Sequence, residues 1–206
     1  MYVKALMLEA HELITVSPND TLKDALEKMN LRNFLSIPVI ENRKFFGVIS
    51  REKIYSQFFL CGGEKDEYLK QTKVTELVRG DIPILKPYDD IEKAAHSLEI
   101  YDVPFVAIVD DKNEFNGIIT HYAIFKAFKE IMGINKGKKL TVIAYDIPGQ
   151  ITKLSEIITR LGGDIISFVV IDPKVKTDVK EISLRIKADN FIEISDALRK
   201  AGFRIQ

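Results

Sequence analysis

The chain has few of the residues that mark several classes of protein. Its 206 residues include one cysteine, three histidines and no tryptophan. The single Cys61 excludes an internal disulfide, which is typical of a reducing compartment. His11, His96 and His121 lie too far apart in sequence for a metal site, so no metal is expected. The apolar run before Glu9 is too short for a signal peptide, and no run of about 18 apolar residues could span a bilayer. A cytoplasmic location is therefore expected.

An excess of charge of either sign is also absent. The 30 acidic and 30 basic residues give a formal net charge of zero, so no attraction to nucleic acid or to an anionic membrane is expected. The sequence contains no P-loop, Gly-x-Ser-x-Gly or His-Glu-x-x-His motif. No catalytic residue is therefore assigned, although a small enzyme with an unrecognised site remains an alternative.

A duplication is the main positive feature of the sequence. Residues 18–29 match residues 87–98 in their small and apolar positions when 69 is added to the first numbering. After one extra residue in the second copy, residues 46–50 match residues 116–120. A duplicated unit of this size is a structural module, and such modules usually build a binding site between copies.

Each copy is predicted to fold as helix, strand, turn, strand, helix. Apolar residues recur three and four positions apart in residues 22–29 and 91–98, which places them on one helical face. Thr21 and Asp90 are predicted to cap these two helices. Polar turns at 41–44 and 110–114 separate the strands, and second helices follow over 52–60 and 122–132. Residues 62–67 are predicted as a polar connector between the copies.

The last third of the chain is a different unit, which follows a linker at 132–139. Strands are predicted at 140–145, 165–171, 179–186 and 203–205, with helices at 151–161 and 191–201. Gly162 and Gly163 are predicted to end the first of these helices, and a turn is predicted at Asp172-Pro173. This order is the split, ferredoxin-like β-α-β-β-α-β arrangement, and the fold class of the whole chain is α+β.

The duplicated part resembles a tandem pair of cystathionine-beta-synthase-type (CBS) domains, with domains expected at 1–66 and 67–134. With residues 146–151 between its first strand and first helix, the remainder, 135–206, resembles an ACT domain. The combination is similar to the acetoin-utilisation accessory protein family.

The CBS resemblance implies adenosine-nucleotide sites in clefts between the copies. Its motif is Gly, two residues, Ser or Thr, two residues, then Asp, where the hydroxyl meets phosphate and the carboxylate meets ribose. Here Ser50 and Thr120 supply the hydroxyls, but Lys53 and Ala123 replace the carboxylate, so the two sites are not expected to be equivalent. The implied nucleotide-binding residues are Thr15, Ser36, Ile37, Pro38, Ser50, Arg51, Lys53, Ile84, Val103, Pro104, Phe105 and Thr120.

Local chemistry supports an anion at these hydroxyls, because a strand-to-helix junction carries free N–H groups and the positive end of a helix. The alternative is that Ser50 and Thr120 only cap helices. The ACT resemblance implies an amino-acid site at Asp146, Pro148, Gly149, Gln150 and Ile151. The alternative there is ordinary helix-entry chemistry, in which Pro and Gly open the helix.

The expected function is a cytoplasmic ligand-sensing regulator without catalysis or a cofactor. AMP, ATP or another adenosyl compound would bind the CBS clefts, and an amino acid would bind the ACT domain. A homodimer is expected, because both module types commonly associate through two-fold symmetry. The alternative from another class is a dimeric interaction scaffold whose clefts hold no small molecule.

Overall fold

The chain forms two compact units in a computed structural model that describes residues 1–172 and 179–206. The units are Met1–Phe125 and Lys126–Gln206. The predicted turn at Asp172-Pro173 falls in part outside the described residues, which resume at Val179.

The first unit contains both copies of the duplicated segment. Its helices and strands, in chain order, are β1 (Leu8–Glu9), α1 (Leu22–Asn30), β2 (Ser36–Glu41), β3 (Lys44–Ser50), α2 (Arg51–Cys61), α3 (Lys65–Gln71), β4 (Ile84–Leu85), α4 (Ile91–Tyr101), β5 (Phe105–Val109), β6 (Phe115–Thr120) and α5 (His121–Ile131), the last of which continues into the second unit. The predicted order of helix, strand, turn, strand and helix is confirmed in each copy. Both hairpins are antiparallel. In the first hairpin, Asn42 and Arg43 have φ of 50° and 64°, which fits the two-residue turn that strand twist favours.

The two predicted helix caps differ. Thr21 accepts a hydrogen bond from Asp24 N–H and receives the reciprocal carboxylate contact of a capping box. Asp90 occupies the cap position of α4, but its side chain makes no cap bond, so this prediction is wrong. The backbone takes that role, because Ile91 N–H donates to the Met1 carbonyl and Lys93 N–H donates to the Asp90 carbonyl.

The predicted polar connector at 62–67 is in part helical. After Gly62 and Gly63, the Glu64 side chain accepts hydrogen bonds from Asp66 and Glu67 N–H at 2.8 and 3.1 Å. A carboxylate at this position satisfies orphan N–H groups and is favoured at the positive end of a helix. Helix α3 therefore begins at Lys65, within a stretch that composition alone predicts as a loop.

The segment that leads into each copy crosses to pair with the other copy. β1, from the start of the chain, pairs with β6 of the second copy through Leu8↔Ile118 and Glu9↔Gly117. Arg79, which leads into the second copy, forms two hydrogen bonds of 2.9 Å with Val48 of the first copy. The side chains of the segment that leads into the second copy also pack against the first copy. Val74 and Leu77 are buried in the core that α1, β2 and β3 form.

Two glycines make the pairing of each lead-in segment with the other copy sterically possible. A Cβ atom at Gly47 would overlap the Arg79 carbonyl, and one at Gly117 would overlap the Leu8 carbonyl. The backbones therefore approach more closely than any side chain would allow. These are the glycines of the repeated motif, and the structure gives them a role in joining the copies.

The second unit has the predicted β-α-β-β-α-β order. It comprises β7 (Lys138–Tyr145), α6 (Gln150–Arg160), β8 (Asp164–Ile171), β9 (Val179–Lys187), α7 (Phe191–Lys200) and β10 (Arg204–Ile205). The sheet is antiparallel in the order β10-β7-β9-β8. Leu154 and Ile158 of α6 and Leu198 of α7 are fully buried in one core with this sheet. The predicted helix end is confirmed, because Gly162 has φ of 76° and its N–H donates to the Thr159 carbonyl.

Candidate functional site

A cleft lies where the two copies meet in the first unit. Its volume is about 710 Å³, within the roughly 300–1,000 Å³ of small-molecule sites. The first copy contributes the start of β2, the end of β3 and the first turns of α2, and the second copy contributes its lead-in and the loop between α4 and β5. The lining residues are Leu35, Ser36, Val48, Ser50, Arg51, Glu52, Lys53, Ser56, Leu77, Val78, Arg79, Asp102 and Pro104.

Ser50 joins β3 to α2 at the wall of this cleft. Its backbone is extended, with φ of −118° and ψ of 152°, and its Oγ accepts a hydrogen bond from Lys53 N–H at 3.1 Å. Arg51 N–H donates to the Leu35 carbonyl at 2.9 Å. Ser50 is therefore a helix cap that also lines the cleft.

Thr120 holds the matching position in the second copy. Its Oγ1 accepts a hydrogen bond from Ala123 N–H at 3.4 Å, near the long limit for such a bond. Thr120 does not line the cleft described above. The two hydroxyls thus have the same local role but different surroundings.

Replacing Ser50 by alanine in the ligand-free protein is expected to lower the free energy of unfolding by about 1 kcal/mol, because a cap is lost. Thr120→Ala is expected to lower the free energy of unfolding by less, because the capping hydrogen bond at Thr120 is longer than the one at Ser50. Denaturant unfolding of the two variants checks this order. A larger loss at Thr120 than at Ser50 would contradict the assignment.

The three cations of the cleft differ in how far they are engaged. Arg51 donates through Nε to the Phe34 carbonyl at 2.7 Å and through Nη2 to Asn30 Oδ1 at 2.8 Å. Its guanidinium is thereby tied to the end of α1. The Lys53 ammonium, by contrast, has no hydrogen bond or ion pair with any residue in the described part of the chain. Lys53 is therefore the cation available to a ligand.

Arg79 is the most extensively bonded residue of the cleft. It contacts both oxygens of Asp81, at 2.8 and 3.4 Å, and donates to the carbonyls of Asp102 and Tyr101 at 3.1 Å each. The hydrogen bond between them raises the pKa of Arg79 and lowers the pKa of Asp81. Both groups are charged across the physiological range, and Arg79 fixes the end of α4 against the segment that leads into the second copy.

Five of the twelve residues predicted for nucleotide binding line this cleft: Ser36, Ser50, Arg51, Lys53 and Pro104. Ile37, Val103 and Phe105 are instead buried in the core, with 1–3% of their surface exposed. Pro38 is also buried, Thr15 and Thr120 are half-buried, and Ile84 is 54% exposed. These four residues do not line the cleft.

Sequence reasoning did not single out Arg79 or Asp102. Arg79 corresponds to Leu8 when the two lead-ins are matched from Val3 and Val74, so a charge replaces an apolar residue there. Asp102 corresponds to Asn33 when 69 is added to the first numbering, as for the helices that precede them. A comparison of the two copies at matching positions could have drawn attention to both residues, because a charged residue replaces an uncharged one in each case.

The five residues predicted for amino-acid binding adjoin the start of α6 in the second unit. Asp146, Pro148, Gly149 and Ile151 are exposed and Gln150 is half-buried. Gly149, with φ of 87°, precedes the helix, and Asp146 pairs with Lys180 at 3.4 Å. A groove of about 700 Å³ elsewhere in this unit, beside α7, is lined by none of the five.

Residues 1–172 and 179–206 contain neither a cluster suited to a metal ion nor a helix suited to a membrane. Among these residues, no three or more His, Cys, Asp and Glu side chains are grouped so as to hold a metal ion. Within the same residues, no helix has the length and apolar character needed to cross a membrane. His11, His96 and His121 are all exposed.

Comparison with known proteins relates the first unit to other chains. Inosine-5'-monophosphate dehydrogenase of Methanocaldococcus jannaschii is 30% identical over 119 residues, which are 57% of this chain and 22% of that enzyme. A second relative from the same organism is matched over 36% of its length. The chain thus spans well under half the length of these relatives.

Solved structures share the same fold. A CBS domain-containing protein from Bacillus anthracis is 30% identical, with a TM-score of 0.57, and the match covers 63% of this chain and 93% of that one. CbpB in complex with c-di-AMP is 24% identical, with a TM-score of 0.54 and coverage of 63% and 85%. CBSX2 in complex with AMP is 22% identical, with a TM-score of 0.55 and coverage of 63% and 97%.

The sequence pattern of the CBS domain occurs twice, at residues 3–58 and 74–130, which together make up more than half of the chain. These ranges fall on the two copies of the duplicated segment. They also include the cap residues Ser50 and Thr120. The chain therefore belongs to the CBS-domain family.

Proposed function

We propose that this protein is a ligand-sensing regulator whose CBS pair binds a phosphorylated ligand in the cleft between the copies, without catalysis of its own. The observation that carries the proposal is the Lys53 ammonium, which has no partner among the described residues and lies in a cleft whose wall includes the Ser50 cap of α2. A cation and the positive end of a helix together attract phosphate. The dehydrogenase activity of the archaeal relative is not included, because the match covers 22% of that enzyme.

The ligand we propose first is an adenine nucleotide, such as AMP, ATP or another adenosyl compound. Two proteins of the same fold are complexes with c-di-AMP and AMP, which makes adenine nucleotides the first ligands to test. At 24% and 22% identity these two neighbours share the fold with this chain, so the charge of its own cleft carries the argument. Lys53, at a motif position where the CBS resemblance implies aspartate, supports a ligand held chiefly by phosphate.

For the C-terminal part, residues 135–206, we propose an ACT domain with an amino-acid site at residues 146–151, following CBS domains at 1–66 and 67–134. The split β-α-β-β-α-β order supports this proposal. Among the described residues, none beyond Gly149 and its two chain neighbours has an atom within 4 Å of where a Gly149 Cβ would stand, and the start of α6 suits a carboxylate. The whole chain would then have the architecture of the acetoin-utilisation accessory family.

We also propose a cytoplasmic homodimer. Three large apolar side chains on α2 support self-association: Phe59 is 84% exposed, Leu60 82% and Tyr55 43%. An exposed apolar patch of this kind is typical of an interaction surface, and two-fold dimers are the commonest oligomers. Sedimentation of the purified protein measures this directly.

A ligand panel tests the proposal. Thermal unfolding is followed with AMP, ADP, ATP, c-di-AMP, S-adenosylmethionine, guanosine tetraphosphate and the amino acids. A ligand at about 100 times its Kd is expected to add about 2.7 kcal/mol, which raises Tm by several degrees at roughly 2–4 °C per kcal/mol. A flat response to every compound at millimolar concentration would favour the scaffold without a small-molecule ligand. Turnover of a compound would identify an enzyme.

A further inference from the structure

One carboxylate stands at a fixed position in the wall of the cleft. Asp102 follows the last residue of α4 and has left-handed backbone angles, φ of 46° and ψ of 58°. Arg79 donates to the backbone carbonyls of Asp102 and of Tyr101, at 3.1 Å each. The Asp102 carboxylate itself has no hydrogen bond or ion pair among residues 1–172 and 179–206. The position is thus held firmly. The Asp102 charge acts through space on the Arg79 cation, whose pKa it helps to raise, but no described residue donates a hydrogen bond to the carboxylate oxygens.

The backbone at this position does not require a carboxylate. The matching residue of the first copy, Asn33, has φ of 54°, so the same left-handed conformation is formed there with a neutral side chain. Asn and Asp tolerate this conformation about equally. The turn therefore explains a short polar residue at 102 but gives no reason for its charge.

The negative charge of Asp102 disfavours a bound phosphate unless the same ligand also donates hydrogen bonds to the carboxylate. A carboxylate in the cleft that holds Lys53 repels any bound anion. An ionised carboxylate only accepts hydrogen bonds, so it is matched by a ligand that carries hydroxyl or amino donors as well as phosphate. A ribonucleoside phosphate has both kinds of group.

We propose that Asp102 is a specificity-determining residue that accepts hydrogen bonds from the nucleoside part of the ligand, while its phosphate lies at Ser50 and Lys53. The ligand then bridges the two copies, because Lys53 belongs to the first and Asp102 to the second. This inference rests on the proposed function, since it requires a phosphorylated ligand in the cleft. The donors are either ribose hydroxyls or the exocyclic amine of the base, and the test separates them.

The test compares Asp102→Asn with Glu52→Gln. Both variants remove one negative charge from the wall of the same cleft, and the left-handed Asn33 indicates that asparagine fits at position 102. Calorimetric titration is carried out with inorganic pyrophosphate, AMP, 2′,3′-dideoxy-AMP and IMP. Glu52→Gln reports the effect of charge alone, because Glu52 lies on the surface of α2 beside Lys53.

Asp102→Asn is expected to weaken AMP binding by about tenfold to a hundredfold, the range for a hydrogen bond to a charged group. It is expected to leave pyrophosphate binding equal or tighter, as in Glu52→Gln. If the wild type binds dideoxy-AMP more weakly than AMP, the ribose hydroxyls are the groups at Asp102. If it binds IMP more weakly than AMP, the exocyclic amine is the group there. Whichever loss occurs is expected to vanish in Asp102→Asn.

Three results would overturn the inference. Tighter binding of both AMP and pyrophosphate by Asp102→Asn, as by Glu52→Gln, would show that Asp102 acts through charge alone. Binding of pyrophosphate but not AMP by the wild type would remove the nucleoside contact and leave the anion site standing. Binding of no phosphorylated probe would remove the proposed function and, with it, this inference.

Discussion

Replacing Gly47 by alanine is expected to lower the free energy of unfolding of the CBS pair by about 2–4 kcal/mol. The added Cβ would overlap the Arg79 carbonyl, and forced overpacking of this kind costs about 1–3 kcal/mol. The two hydrogen bonds between Val48 and Arg79 would also be weakened, at about 1 kcal/mol each. At roughly 2–4 °C per kcal/mol, calorimetry should show Tm lower by about 5–15 °C.

The matched control for this variant is Gly80→Ala, which lies one residue after Arg79 in the segment that leads into the second copy. A Cβ there would meet the Phe46 carbonyl at an ordinary 3.6 Å, and the backbone of Gly80 is not among those with positive φ. Gly80→Ala is therefore expected to be neutral or slightly stabilising. Equal Tm values for the two alanine variants would be incompatible with the crossed arrangement of the lead-ins.

Gly47→Ala is also expected to weaken ligand binding, because Leu77, Val78 and Arg79 form one wall of the cleft. A side chain at position 47 would push this wall away from the Ser50 and Lys53 wall. Stability and binding are thus expected to fall together, whereas Gly80→Ala should lower neither.

Replacing Lys53 by aspartate is expected to weaken the binding of phosphorylated ligands by about a hundredfold, or about 2.7 kcal/mol. The change turns attraction into repulsion, and a pair of charges at about 4 Å contributes about 1–4 kcal/mol between water and a protein surface. Titration calorimetry with pyrophosphate and AMP measures the loss. Tighter binding of AMP by Lys53→Asp would instead mean that position 53 faces the ribose, as the CBS resemblance implies for an aspartate there.

The stability of Lys53→Asp is expected to change in the opposite direction from its affinity. An acidic residue in the first turn of a helix is favoured by roughly 0.3–1 kcal/mol, so the ligand-free variant should be slightly more stable. Lys65→Asp makes the same charge change in the first turn of α3, away from the cleft. It should show the gain in stability without the loss of binding. A fall in Tm for Lys53→Asp would point to unfolding as the cause of lost affinity.

Elements set by local pattern were predicted well. The helix over 151–161 is observed as Gln150–Arg160, and the strand over 140–145 as Lys138–Tyr145. Apolar spacing and the glycine pair at 162 and 163 act within a few residues, so the sequence displays them directly. Helix caps were predicted less well. At Asp90 the side chain makes no cap bond, because the distant Met1 carbonyl accepts the hydrogen bond from Ile91 N–H.

The candidate site was predicted in part, since Ser36 and Pro104 were predicted beside the motif residues and line the cleft. Ser50, Arg51 and Lys53 are consecutive parts of a motif and were identified from it. Arg79 and Asp102 reach the same cleft through the crossing of the lead-in and the end of α4. Contacts between residues so far apart in sequence leave no periodic pattern.

The sequence by itself determined the duplication, the order of helix, strand, turn, strand and helix in each copy, the β-α-β-β-α-β order of the second unit and the replacement of the motif carboxylate by Lys53. Only the tertiary structure decided that each lead-in crosses to the other copy and that the Arg79 guanidinium donates its hydrogen bonds to Asp81 and to two carbonyls. It also placed Asp102, whose carboxylate accepts no hydrogen bond from residues 1–172 or 179–206, in the cleft with Lys53. The physical reason is that side-chain periodicity and turn chemistry act locally, whereas pairing between copies and charge in a cleft depend on which distant residues the fold brings together.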